Sequence, residues 1–106
     1  MQMHQVRYFL ALCEELNFTR AARCCGISQP SLTTAISALE RELGGALFHR
    51  KPSIALTGLG RMVRPYLDEI AHNADHAREV ARTLTPRPVA DRSARQAVDS
   101  SGPPSN

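Results

Sequence analysis

The side chains best able to do chemistry in this chain of 106 residues are two imidazoles, three thiols and a row of hydroxyl and amide groups. His72 and His76 stand at i, i+4, with Asp68 and Asp75 nearby. That spacing can set two zinc ligands on one helical face, but no third ligand is identified, so the pair reads as a solvated face. Cys13, Cys24 and Cys25 are odd in number and lack C-x-x-C spacing, which makes no disulfide framework. The adjacent Cys24 and Cys25 have the form of a redox pair or a metal fragment; packing as small hydrophobes is the favoured reading. Neither a Ser/His/Asp or Cys/His order nor a glycine-rich nucleotide loop occurs. We expect no catalytic residues, no metal and no cofactor.

What remains is recognition by hydrogen bonding. Pro30, Thr33, Thr34, Ser37 and Arg41 fall roughly opposite the apolar stripe Leu32, Ile36, Leu39, Leu43, which recurs at four, three and four residues. Ser28 is suited to cap this helix, with Ile27 and Leu32 at the staple positions and Pro30 in the first turn. The helix therefore buries one side and offers small polar groups on the other, a surface suited to lying against nucleic acid. Before it, Thr19 to Cys25 reads as a short helix of small residues, with Thr19 as its cap and Gly26 as its stop. Two helices joined by a Gly-containing turn are equally a helix-turn-helix, whose second helix enters the major groove, and a plain helical hairpin used as core.

A family resemblance favours the first. The order A-A-x-x-x-G-I-S-Q-P-S-L-T-x-x-I-x-x-L-E-x-x-L-G-x-x-L-F-x-R, from Ala21 to Arg50, followed by L-T-x-x-G from Leu56 to Gly60, resembles the amino-terminal domain of LysR-type transcriptional regulators. With the apolar first helix included, the resemblance runs to about residue 84. It implies a mainly α fold, a winged helix-turn-helix of three helices and a two-stranded wing followed by a long dimerisation helix; the composition beyond it adds a disordered tail. Residues 1–60 would form the DNA-binding domain, with the helix-turn-helix at about 18–37; residues 61–84 would be the linker helix and 85–106 the tail. The expected DNA-binding set is Thr19, Ser28, Gln29, Pro30, Ser31, Thr33, Thr34 and Ser37, with Arg50 and Lys51 on the wing.

The elements that must position this set follow from the pattern. Met3, Val6, Phe9, Leu10, Cys13 and Leu16 keep a helical period, so a supporting helix is expected from about His4 to Leu16. Gly44 and Gly45 stop the recognition helix. Leu47-Phe48 and Ile54-Ala55-Leu56 flank a Pro-containing turn and read as a hairpin. In the resembling family this hairpin is the wing, where Arg50 and Lys51 would meet phosphates. It is shorter and poorer in Arg than the usual family wing.

From Thr57 a further helical pattern carries Leu59, Val63, Tyr66, Ile70, Asn73, Ala77, Val80 and Leu84 at spacings of four and three, a heptad seam. Asn73 is placed to fix its register, and Pro65 to bend the helix. Such a helix, about 40 Å long at 1.5 Å per residue, either folds back on its own domain or pairs with a second copy. The symmetric dimer is preferred, and the family resemblance points the same way.

Composition sets the outer bounds. Apolar residues make up 42% and the net charge is +3, which permits nucleic acid binding without the clustered Lys and Arg of a strong electrostatic footprint. No apolar run is long enough for a membrane span and no signal peptide opens the chain, so a cytoplasmic, reduced setting with no membrane partner is expected. From Thr85, four prolines and little apolar bulk predict the disordered tail. Family members continue into an effector-binding domain at this point; with that domain the small-molecule inducer site is expected to be absent. The reading is a DNA-binding transcription factor that holds double-stranded DNA as a homodimer. The alternative is a truncated interaction protein that heterodimerises with full-length relatives.

Overall fold

The structure, a computed structural model, describes residues 1–85. Its elements run α1 (Met3–Glu15), α2 (Phe18–Cys25), α3 (Gln29–Leu43), β1 (Phe48–His49), β2 (Ala55–Leu56) and α4 (Gly58–Leu84). The protein is mainly helical with a two-stranded wing, as the sequence predicts. The expected disordered tail lies, from residue 86 on, outside the described residues.

Two compact units divide the chain at residues 74 and 75. In the first, Val6, Phe9 and Leu12 of α1 meet Ala21 and Ala22 of α2 and Leu32, Ile36 and Leu39 of α3 in one buried cluster. Leu47 and Phe48 enter it from the wing, and Leu67 and Ala71 from α4. The Phe9 and Phe48 rings meet at 5.6 Å between centroids, a tilted contact. No polar or charged residue is buried among the described residues, so shape alone decides how this core packs. On the surface, Arg64 of α4 pairs with Glu14 of α1 at 2.7 Å.

The caps show how local chemistry sets the helix ends. Asn17, and not Thr19, caps α2: its Oδ1 accepts the Arg20 amide at 2.8 Å, and Phe18 is already helical. An Asn in extended conformation satisfies a free first-turn donor and sets the cap two residues earlier than the sequence pattern suggests. At the other end Gly26 takes φ 70°, a left-handed conformation that glycine adopts without strain. The wing strands pair antiparallel with Phe48 opposite Leu56 and His49 opposite Ala55. The Lys51–Pro52 peptide at its turn is cis.

The seam read on α4 divides. Leu59 and Val63 pack against the core of their own domain, whereas Tyr66 and Ile70 are exposed, at 69% and 42%. The face that α4 lays on the core continues instead through Leu67 and Ala71. In the second unit, the described end of α4 carries exposed Ala77, Val80 and Leu84 and the ion pairs Arg78–Asp75 and Arg82–Glu79.

Candidate nucleic-acid interface

The recognition helix is built from its first turn. Ser28 caps α3: the Ser31 amide donates to Ser28 Oγ at 3.2 Å, and the Ser28 hydroxyl donates to Ser31 Oγ at 2.9 Å. Leu32, Ala35, Ile36 and Leu39 are buried, which fixes the rotation of the helix about its own axis. That rotation leaves Ser28, Gln29, Pro30, Ser31, Thr33, Thr34 and Arg41 exposed, with Ser37 half-buried. Thr19, on the exposed first turn of α2, joins this surface directly: its hydroxyl donates to Gln29 Oε1 at 3.1 Å. The predicted α2–α3 residues are thus brought to one solvent-facing region at the helix-turn-helix.

The two wing cations behave differently. Arg50 is engaged within the protein, its guanidinium 3.6 Å from Glu40 Oε1 and 4.9 Å from the centroid of the Phe18 ring. Lys51 is exposed at the wing turn. Three residues outside the predicted DNA-binding set hold the wing in position. Glu40 Oε2 accepts the Leu47 amide at 2.8 Å. The Thr57 hydroxyl donates to the Ala46 carbonyl at 2.7 Å and accepts the Gly60 amide at 3.0 Å. Arg61 donates to the Leu56 carbonyl at 3.1 Å. The only prior signal for Glu40 and Thr57 is their place in the L-E-x-x-L-G and L-T-x-x-G patterns, which says nothing of partners.

The three cysteines are free of disulfides. Cys13 is buried, and burial pushes its thiol up to about 11. Partial burial, with Cys24 beside it, also raises Cys25. Cys24 is exposed and donates weakly to Glu15 Oε2 at 3.6 Å. Among the described residues no three His, Cys, Asp or Glu side chains group to hold a metal ion, and no helix is long and apolar enough to cross a membrane.

A helix-turn-helix with a polar exposed first turn and a wing tied to its recognition helix defines a winged helix-turn-helix of the kind found in transcription regulators. Residues 3–61 match the bacterial regulatory helix-turn-helix proteins of the lysR family, and the chain belongs to that family. Over 85 residues, 79% of this chain, it is 44% identical to the HTH-type transcriptional regulator IlvR of Caulobacter vibrioides, covering 29% of that protein. To the HTH-type transcriptional regulator BudR of Klebsiella aerogenes it is 41% identical over 85 residues, covering 59% of that protein. The chain therefore spans less than two thirds of the length of these relatives. Among solved structures, BenM_DBD in complex with catB site 1 DNA superposes with a TM-score of 0.75 at 33% identity, over 79% of this chain and 96% of that one. CbnR, a LysR family transcriptional regulator, gives 0.73 at 32% identity, over 77% of this chain and 29% of that one.

Proposed function

We propose that this chain binds a specific double-stranded DNA sequence as a homodimer and regulates transcription there. The observation that carries the reading is the division of α3: Leu32, Ile36 and Leu39 are fully buried while Gln29, Ser31, Thr33 and Thr34 stand exposed on its first turns. Those first turns are the part of a recognition helix that meets base edges. The same fold occurs on DNA in the BenM_DBD complex. Gln29, Ser31, Thr33 and Thr34 would read bases, while Ser28, Pro30 and Ser37 line the approach. Because Arg50 is committed to Glu40 and Phe18, Lys51 is the wing cation proposed for a phosphate. Residues 1–60 would form the reading domain and 61–84 the dimer helix, whose exposed Tyr66 and Ile70 are apolar surface a second copy would cover.

A second reading shares that surface: the chain heterodimerises with longer relatives and alters their action. One titration series separates the two, using a duplex selected by the protein from a randomised pool and a scrambled duplex at several salt concentrations. On the selected duplex Gln29→Ala is expected to cost about 1–3 kcal/mol and to relax preference at one base position. Lys51→Ala should weaken all duplexes about equally and lower the salt slope by about one contact per half-site. Salt-sensitive binding that is blind to sequence in the isolated protein would favour the heterodimer.

A further inference from the structure

Thr19 is the second residue of α2 and Gln29 the first of α3, and their side chains are joined by a 3.1 Å hydrogen bond across ten residues of sequence. Neither helix needs this bond. Asn17 already caps α2 and Ser28 already caps α3. What the bond does is orient an amide. In this bond the Thr19 hydroxyl donates and Gln29 Oε1 accepts, so Oε1 is turned toward α2 and Nε2, with its two N–H donors, is left for other partners. Ser31 shows the same polarity. Its Oγ accepts from Ser28, which leaves the Ser31 hydroxyl hydrogen for another acceptor.

We propose that Thr19 is a positioning residue for base reading: by holding Gln29 Oε1 it presents the amide to the major groove donor-first, so the base met there offers acceptors. Guanine, with N7 and O6, and thymine, with O4, have such edges; adenine offers the acceptor N7 beside its N6 amino donor, and cytosine presents the N4 amino donor and is disfavoured. Thr19 then acts through Gln29 and makes no base contact of its own. The inference rests on α3 being the recognition helix, and adds the residue that sets the polarity of its first contact and the class of base edge it reads.

The test compares the parent with Thr19→Val, Thr19→Ser, Gln29→Ala and the Thr19→Val/Gln29→Ala pair. Each is titrated on a duplex selected by the parent, on its single-base variants and on a scrambled duplex. Valine keeps the branched shape and removes only the O–H. Thr19→Val should lose about three- to tenfold on the selected duplex, the worth of one neutral hydrogen bond, at the same base position that Gln29→Ala relaxes. Thr19→Ser should behave as the parent, and Thr19→Val should add nothing to Gln29→Ala. Where the shared base is guanine, 7-deazaguanine should weaken the parent and leave Gln29→Ala unmoved. Equal losses on selected and scrambled duplexes would make Thr19 a backbone contact and overturn the proposal, as would a cytosine preference at the shared position.

A parent that selects no sequence would remove the recognition reading itself. The Gln29 side-chain amide resonances of the free protein still decide the positioning role. They should shift in Thr19→Val and hold in Thr19→Ser; no shift in Thr19→Val means no bond, and the proposal fails.

Discussion

Glu40 reaches from α3 to accept the backbone N–H of Leu47 at 2.8 Å, on a residue with no exposed surface. The bond ties the recognition helix to the start of the wing, and the other carboxylate oxygen faces Arg50 at 3.6 Å. A buried N–H without a partner costs about 1–3 kcal/mol, whereas an exposed ion pair contributes about 1 kcal/mol or less. Glu40→Ala should therefore destabilise the protein more than Arg50→Ala, and Glu40→Gln, which keeps a carbonyl acceptor, should fall between parent and Glu40→Ala. Urea denaturation of the three variants ranks them; Arg50→Ala as the most damaging would show that the ion pair, not the amide bond, holds the wing.

Two glycines early in α4 should respond oppositely to the same change. A Cβ on Gly60 would stand 2.3 Å from the Leu47 carbonyl oxygen, a backbone atom that cannot swing aside, and 2.8 Å from Leu56 Cδ2. A Cβ on Gly58 would meet nothing within 4 Å. Gly60→Ala should cost about 1–3 kcal/mol through overpacking, against the gain alanine brings to a helix. Gly58→Ala should be neutral or gain up to about 1 kcal/mol. Melting temperatures moving the same way in both variants would contradict the close approach of α4 to the wing.

Cys13 supplies a pH test. Its thiol is raised from 9.0 to about 11, chiefly by burial, with the Arg64 guanidinium pulling the other way. Well below pH 9 the thiol is protonated in folded and unfolded chains alike and stability does not depend on it. Between about 9 and 11 the unfolded chain releases the proton more readily, so stability falls as pH rises. Cys13→Ala loses packing at neutral pH but should lose less additional stability over that interval than the parent does. Parallel curves of unfolding free energy against pH for the two proteins would remove the argument.

The dimer proposal makes a mass prediction. Tyr66→Asp with Ile70→Asp puts two charges on the exposed apolar face of α4 and should leave folded monomers, because unpaired charge in an apolar interface is strongly unfavourable. Leu59→Asp should instead unfold the domain, since Leu59 packs on its own core. Sedimentation at equal concentration and circular dichroism separate the two effects. A parent that sediments as a monomer would falsify the homodimer.

Much of this arrangement is legible in the sequence. The ends of α3 follow from Ser28, Pro30 and Gly44, because capping and helix-stop chemistry are local. Its rotation follows from Leu32, Ile36 and Leu39, because no other stripe in that helix is apolar. The α4 pattern was ambiguous because residues spaced by three and four fit two neighbouring stripes; packing chose Leu67 and Ala71 for the core and left Tyr66 and Ile70 exposed. The Arg50–Glu40 pair and the Thr19–Gln29 bond were invisible, since each joins residues ten positions apart that only the folded turns bring together. A cation on a wing reads as a phosphate contact until its anion is seen.

The side chains of α3 that hold the fold and those that face solvent are different residues: Leu32, Ala35, Ile36 and Leu39 inside, Gln29, Thr33, Thr34 and Arg41 outside. Substitutions at exposed positions away from caps and buried bonds usually change stability by no more than about 0.5 kcal/mol. The outer positions are thus free to drift without endangering the scaffold, and a lineage can acquire a new genomic address while its folding remains under unchanged selection. A library randomised at Thr33, Thr34 and Arg41 should contain many binders of altered preference that melt with the parent, while the same diversity at Leu32, Ala35 and Ile36 should yield almost no folded protein.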